Sequence, residues 1–367
     1  MRNGTTKFLT SVLVMIFASF IVVTPLFGVE KVSATEGGSW TTLAPFPETS
    51  SHIIGAAVVD GKIYCIGANM TLCYDTETNN WVQLTPSPIA NNWGDVVACQ
   101  NKIYLIGGSL ECPTQVYDLE TDTWENRTSV SSTRIGPEAN AVDGKIYVTG
   151  GEIPSALGVI NPSGSNDVYD PETDSWSQMA PVPVPVADCT SAVLDDKIYF
   201  ISGVRRSAHD AHMTSLVQVF DPATNQWTNR TSIPTAVIYA GACATTGESA
   251  QKRLYVIGGS QNFYFRYIFL NPLDLNQIYD PETDTWTNGT SMPTPRGDLG
   301  IVVINDEIYA IGGQISDDLG GVTYANEKYT PAGYIPEFPS WMILPLVLTA
   351  TVVGAFYKKK LPKTANN

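Results

Sequence analysis

Between Ser39 and Pro331 the chain alternates short apolar runs with polar punctuation, and the same pattern returns several times. One period shows the logic. An apolar run from Ala139 reaches Val142, Asp143-Gly144 follows, and a second run, Lys145 to Thr149, ends in Gly150-Gly151. Asp-Gly between apolar runs predicts a tight hairpin, because both turn residues need positive φ. Equivalent turns are predicted at Asp60-Gly61, Gln100-Asn101, Asp195-Asp196 and Asn305-Asp306. The glycine pair lets backbones approach where a side chain would clash. After a loop of variable length a third strand ends at Tyr169. Asp170 to Asp174 turns the chain back, with Asp bonding its own backbone and Pro171 presetting φ. A fourth strand then carries Trp176, expected as a large buried anchor between sheets.

The phrase that closes this period is Tyr-Asp-Pro-Glu-Thr-Asp-x-Trp. It stands at Tyr169 to Trp176 and Tyr279 to Trp286, and at Tyr117 to Trp124 with Leu119 for Pro; looser copies run from Tyr74 to Trp81 and Phe220 to Trp227. Self-similarity of this kind outranks any strand-by-strand reading. Five four-stranded units end at Trp81, Trp124, Trp176, Trp227 and Trp286. A sixth has three strands, through Ile308 to Gly313 and Lys328 to Pro331, and no tryptophan strand. The orphan Ser39-Trp40-Thr41-Thr42-Leu43 is expected to supply it, closing the ring and removing exposed sheet edges.

The Gly-Gly, Tyr and Trp markers together resemble the kelch repeat over about residues 38 to 331, with departures at Gly67-Ala68 and Ser202-Gly203. The resemblance implies an all-β fold, a six-bladed kelch-type β-propeller closed by the Trp40 strand.

The ends read differently. Residues 1–34 carry Arg2 and Lys7 before an apolar run from Phe8 to Val23, then Val32-Ser33-Ala34, the pattern of a secretory signal peptide; an uncleaved signal anchor is the alternative. The propeller is assigned to 35–331 and a short stalk to 332–340, which spans at most ~30 Å. An apolar stretch at 341–357, 17 residues, is predicted as a transmembrane helix at the low end of spanning length. The basic tail 358–367, with Lys358, Lys359, Lys360 and Lys363, is expected to stay cytoplasmic and leave the propeller on the extracellular face. Pro336-Glu337-Phe338 before helix and lysines is similar to archaeal sorting signals of the Pro-Glu-Phe type, which implies removal of the tail and attachment to a lipid; a plain anchor is the other reading.

Charge fits that placement. The chain carries 21 basic and 36 acidic residues, net −15, and seven of the basic ones lie in the two terminal segments. The acidic central region disfavours nucleic acid and anionic lipid as partners. Six cysteines, Cys65, Cys73, Cys99, Cys112, Cys189 and Cys243, permit disulfides outside the cell. Cys65 and Cys73 flank the very short loop of the first blade and form the candidate pair; the others read as small buried hydrophobes. Acceptor sequons for glycosylation stand at Asn69, Asn126, Asn229 and Asn288, the last three each two residues after a tryptophan.

Candidate ligand residues come from the loops after the glycine pairs. These hold eight residues in the second unit and 17, 16, 19 and 15 in the third to sixth. Long loops on a rigid scaffold are where binding usually lives. The fourth loop holds Arg205, Arg206, His209, Asp210 and His212; the histidines with Asp210 offer a metal-ligand set, but a solvated polar loop explains them as well, and no metal is assigned. The fifth holds Tyr264 and Tyr267 among other aromatics that would stack on a sugar or anchor a protein, or else form a small local core. Arg134 and Arg296 each lie 11 residues before a second strand, and are expected near the channel mouth to meet a carboxylate or sulfate. Galactose-oxidase-like enzymes share the repeat class and use two histidines, two tyrosines and a Tyr–Cys crosslink on copper. This chain has His52, His209 and His212 alone and no matching cysteine, so no copper site or other cofactor is assigned. No Gly-x-Ser-x-Gly, phosphate-loop or zinc-helix motif appears, and the expectation is a recognition or adhesion module of a cell envelope, with a cell-surface protein or glycan as partner. The alternatives are a carbohydrate-active enzyme on the same scaffold and a structural envelope component.

Overall fold

A computed structural model describes residues 37–47, 53–88, 93–108, 114–130, 134–154, 160–206, 211–261, 272–315 and 321–335. Six four-stranded antiparallel sheets make the ring, each ordered from the inner strand to the outer. Blade 1 runs Ile53–Val59, Lys62–Gly67, Met70–Asp75 and Asn80–Gln83; blade 3 runs Glu138–Val142, Lys145–Thr149, Asn166–Asp170 and Ser175–Gln178. Blade 6 takes its first three strands from Gly300–Ile304, Glu307–Ile311 and Asn326–Thr330, and its outer strand from Ser39–Thr42. Trp40 stands opposite Tyr329 in that pairing. Among the described residues there is no helix. The leader, the span 341–357 and the basic tail lie outside the described residues.

The predicted hairpin turns take the expected conformation. Asp143 and Gly144 have φ of 49° and 72°, and Asp195 and Asp196, without any glycine, have 50° and 56°. The glycine pairs serve a close approach. A Cβ on Gly258 would stand 2.3 Å from the Arg296 carbonyl oxygen, and one on Gly259 2.7 Å from that of Ile238. The inter-blade linkers therefore press directly on the glycine backbone.

Apolar side chains form slabs between neighbouring blades. Ile103, Leu105 and Tyr117 of blade 2 pack with Ala57, Tyr64 and Ile66 of blade 1, and each other seam repeats the arrangement. The tryptophans correct one expectation, since they are half-buried. Each lies against the aromatic ring across the strand pair, Tyr169 and Trp176 at 5.0 Å and Tyr329 and Trp40 at 5.1 Å. Its indole N–H donates to the preceding linker: Trp176 to the Thr128 carbonyl at 2.8 Å, and Trp40 to the Thr290 carbonyl at 2.9 Å.

The disulfide expectation is also corrected. Cys65 pairs in register with Leu72, and Cys73 with Tyr64, so the two side chains leave opposite faces of the sheet. Cys65 packs in the seam with blade 6 and Cys73 in the seam with blade 2. Both thiols are free and buried, as are Cys99, Cys189 and Cys243.

Closure reproduces a contact of the intact blades. In blades 2, 3 and 5 the tyrosine hydroxyl donates to the last aspartate of the outer turn: Tyr117 to Asp122, Tyr169 to Asp174 at 2.6 Å and Tyr279 to Asp284 at 2.7 Å. That aspartate also accepts a linker N–H, as Asp174 does from Thr128 at 3.0 Å. In blade 6 the Gly37 carbonyl takes both roles, accepting from the Tyr329 hydroxyl and from the Thr290 N–H at 2.9 Å.

Candidate functional site

The ring has two faces. One carries the tight turns between first and second strands and between third and fourth. The other carries the linkers between blades and the long loops after the glycine pairs. Two of these loops build hairpins of their own: Glu152–Pro154 with Ile160–Pro162 in blade 3, and Val204–Arg206 with Ala211–Met213 in blade 4. Both are anchored by linker bridges, Ile135 with Glu152 and Ala187 with Val204.

Arg206 joins the two hairpins. Its guanidinium pairs with Glu152 of the blade 3 hairpin and, at 2.6 Å, with Asp188 of the linker into blade 4. Two carboxylates around one guanidinium carry net negative charge into a partly closed site. Burial and the nearby Asp188 push Glu152 up to about 7, against the pull of Arg206. Burial likewise raises Asp188, opposed by Arg206 and by a hydrogen bond from Tyr239.

Asp188 begins a ring of repeat-equivalent linker positions. Gly136, Asp188, Tyr239 and Asp298 have φ of 58°, 52°, 55° and 54°. Glycine adopts this conformation freely; for tyrosine it is an outlier. Backbone bonds run between these positions, Tyr239 N–H to the Asp188 carbonyl at 3.2 Å and Asp298 N–H to that of Tyr239 at 2.8 Å, and Gly136 N–H bonds the Trp93 carbonyl of the preceding linker at 2.8 Å.

Just inside, Asp95 and Glu138, near the start of their inner strands, face the next blade. Asp95 accepts the Ala139 N–H at 2.7 Å, and Glu138 accepts the Ser191 hydroxyl at 2.8 Å. Asn140 donates to the same hydroxyl at 2.8 Å. Burial lifts Asp95 to about 6; burial, then the Asp95 charge, lifts Glu138 to about 8. Carboxyl groups that exchange protons near neutrality can act as general acids or bases. Among the described residues no group of three or more His, Cys, Asp or Glu is arranged to hold a metal ion.

The predicted ligand residues divide. Arg205 and His212 lie exposed, opposite one another across the blade 4 hairpin. Arg206 lies beside them in its two ion pairs. His209, Tyr264 and Tyr267 lie outside the described residues. Arg134 and Arg296 are 1% and 0% exposed, which corrects their assignment to an external anion. Arg134 pairs with Asp167 at 2.9 Å and donates to the Val148 carbonyl at 3.1 Å. Arg296 pairs with Glu327 at 2.6 Å and donates to the carbonyls of Thr294 at 2.8 Å and Ala310 at 2.9 Å. Their equivalence holds, but the shared position is interior.

Two other blades show what those pairs replace. Gln218 in blade 4 bonds both the N–H and the carbonyl of Val184, and Gln277 does the same to Thr235. There the arginine position is held by buried Val186 and Val237. An amide with one donor and one acceptor satisfies the linker, and an Arg–carboxylate pair is the charged equivalent.

Sequence reasoning missed Glu152, Asp188, Tyr239, Asp298, Asp95 and Glu138. The available signal was the repeat register, which sets Asp188, Tyr239 and Asp298 at one position. Of the sequons, Asn126, Asn229 and Asn288 lie exposed on outer strands, and Asn69 is exposed in a turn with φ of 58°.

Comparison with known proteins agrees with this architecture. Over 173 residues the chain is 28% identical to Kelch-like protein 35 of Mus musculus, covering 47% of this chain and 26% of that protein. It is 28% identical over 165 residues to Kelch-like protein terF of Aspergillus terreus, covering 44% and 33%. The match thus spans a quarter to a third of these relatives' length. The solved structure of YjhT superposes with a TM-score of 0.63 at 17% identity, covering 78% of this chain and 96% of that one, a likeness of fold alone. The KLHDC2/KLHL20/DRC7 Kelch-repeats domain matches residues 51–259 and 95–313, most of the ring. The chain belongs to that kelch-repeat family.

Proposed function

We propose that this propeller is a recognition module that binds a protein or glycan partner through its long-loop face, and that it does so at the outer surface of a cell, tethered through its C-terminal segment. The observation that carries the binding reading is the pair of extra hairpins in blades 3 and 4, locked together by Arg206 between Glu152 and Asp188. The fold does not need them, and they stand where a rigid scaffold presents variable loops. Kelch-repeat domains generally bind protein partners, which supports the same reading.

The tether reading draws support from topology. The ring is interrupted between the third and outer strands of blade 6, so the described ends near Gly37 and Ile335 both leave on the turn face. The Ile335 N–H is held there by the Ser249 carbonyl at 2.7 Å. A membrane attached at either end would leave the long-loop face pointing outward, and the exposed sequon asparagines of blades 2, 4 and 5 would carry their glycans on the rim.

A masking experiment tests the binding reading. A single cysteine replaces Ile153, 44% exposed on the long-loop face, or Glu172 on the turn face, in a Cys112→Ser background whose described thiols are buried. Each is coupled to a polyethylene glycol maleimide and applied to glycan and peptide arrays. Masking at 153 is expected to abolish array binding and masking at 172 to spare it; the reverse pattern, or binding to neither array, contradicts the proposal. A second reading, a carbohydrate-active enzyme, rests on the raised carboxyls Glu152 and Glu138 and the strained Tyr239. Turnover of an array-positive sugar, lost in Glu152→Gln, would establish it.

A further inference from the structure

One cation stands apart in this acidic protein. Of the thirteen described lysines and arginines, eleven stand in ion pairs with carboxylates. Arg230 donates to the Asn229 carbonyl at 3.4 Å. Among the described lysines and arginines Arg205 alone has a side chain with neither an ion pair nor a hydrogen bond, and it is exposed. Its neighbour Arg206 is neutralised by two carboxylates, which fixes the strand and presents Arg205 beside it.

Arg205 borders a cleft of about 260 Å³ between the blade 3 hairpin, the linker into blade 4 and the blade 4 hairpin. Its walls include Asn161, Pro162, Pro183, Val184 and Pro185. The prolines carry no N–H. The Val184 N–H and carbonyl are both taken by Gln218, at 2.9 Å each. A sugar would find few partners for its hydroxyls on that wall. Pyrrolidine and valine surface instead suits aliphatic or prolyl side chains, and the free guanidinium suits a carboxylate, which it can hold with two parallel bonds.

We propose that this cleft docks an acidic segment of a partner polypeptide, with aliphatic or prolyl residues against Pro162, Pro183 and Pro185 and a carboxylate paired to Arg205. The proposal rests on the reading of the long-loop face as the binding face and names the class of partner it takes.

Phage-displayed random dodecapeptides selected on the immobilised full chain supply the probe, and fluorescence anisotropy of the recovered peptides the readout. Enriched peptides are expected to share a Glu or Asp beside proline or an aliphatic residue. Arg205→Glu, or Glu→Gln in the peptide, is expected to weaken binding roughly tenfold or more, the loss of a charge-assisted hydrogen bond. A peptide with Lys for that Glu is expected to bind Arg205→Glu better than the parent chain. Because Arg205 is exposed, its replacement leaves the fold intact, checked by an unchanged melting temperature. Failure to enrich an acidic residue overturns the proposal, as does equal binding to Arg205→Glu, or an Arg205-dependent affinity for polygalacturonate in place of peptide. Peptides insensitive to Arg205→Glu but blocked by the polymer at position 153 would remove this cleft and keep the face. Peptides blocked only at position 172 would remove both.

Discussion

The turn face and the long-loop face are built from the same six blades, yet one repeats throughout and the other only at the base of its loops. On the turn face each blade pairs a cation at the start of its second strand with an acid at the end of its third: Lys62 with Asp75, Lys102 with Asp118, Lys145 with Asp170, Lys197 with Asp221 and Arg253 with Asp280. Blade 6 keeps the pair with the signs exchanged, Glu307 on the second strand and Lys328 on the third. On the long-loop face the loop bases of blades 3 to 6 repeat one bridge to the preceding linker, at Glu152, Val204, Ser260 and Gln314, and among the described residues blades 3 and 4 alone extend it into hairpins. What recurs in every blade is what a blade needs in order to close. What differs is free to serve something else, and Arg205, Arg206, Glu152 and Asp188 all belong to the part that differs.

The inner seam makes the same point at closer range. Gly55, Gly241 and Gly300 share one register position near the start of the inner strands of blades 1, 5 and 6, and the apolar side chain of the next blade lies on their backbone. A Cβ on Gly241 would stand 2.8 Å from Ile301, and one on Gly55 2.8 Å from Val96. Blades 2 and 3 place Asp95 and Glu138 at this position. Three seams show that glycine suffices, so the two carboxylates exceed what the ring requires.

The largest test of this repeat argument is Arg296→Ala. Removing one partner of a buried pair leaves Glu327 uncompensated, and a loss of about 3–5 kcal/mol is expected in denaturant unfolding. The double change Arg296→Val with Glu327→Gln copies blades 4 and 5 and is expected to recover most of it; equal damage in both would break the equivalence. Next, Trp40→Ala is expected to cost about 3 kcal/mol, the low end for an aromatic truncation because the ring is half-buried. The thermal midpoint reads it, and no shift would mean that the Ser39–Thr42 strand does not close the ring.

A third effect is pH-dependent. Glu138 titrates at about 8 in the folded chain and Asp95 at about 6, both above their ordinary values. The folded state therefore holds the extra protons, and the contribution of these two groups to stability is full below about pH 4 and is lost as pH rises towards 8. Glu138→Gln is expected to match the parent near pH 4 and to be the more stable at pH 8, by on the order of 2 kcal/mol. Parallel melting curves across that range would contradict the assignment. The smallest effect belongs to the turn face: Lys145→Ala removes a solvent-screened pair and is expected to leave the melting temperature nearly unchanged, with array binding unchanged.

The ring itself was legible because its signals are local and periodic. The Asp143-Gly144 turns, the Tyr–Trp spacing and the orphan Trp40 each follow from residues a few positions apart or from a missing member of a series. Arg134 and Arg296 show the limit. Their spacing gave equivalence, but the environment depends on Asp167 and Glu327, some thirty residues away on another strand. Those acids stand where Gln218 and Gln277 stand in sister blades, and that comparison holds the missing signal. Cys65 and Cys73 failed for a different reason. Nearness across a short loop is not enough, because a two-residue turn pairs 65 with 72 and sends 73 to the other side. Asp188 and Asp298 lie in linkers, where no strand period marks which way a side chain turns.

Amide hydrogen exchange on the full chain, alone and with an array-positive ligand or a selected peptide, tests the central claim most directly. Slower exchange is expected in the two loop hairpins, Glu152–Pro154 with Ile160–Pro162 and Val204–Arg206 with Ala211–Met213, while the outer turns at 170–175 and 118–123 stay unchanged. Protection confined to those turns, with the hairpins exchanging as in the free chain, would contradict it.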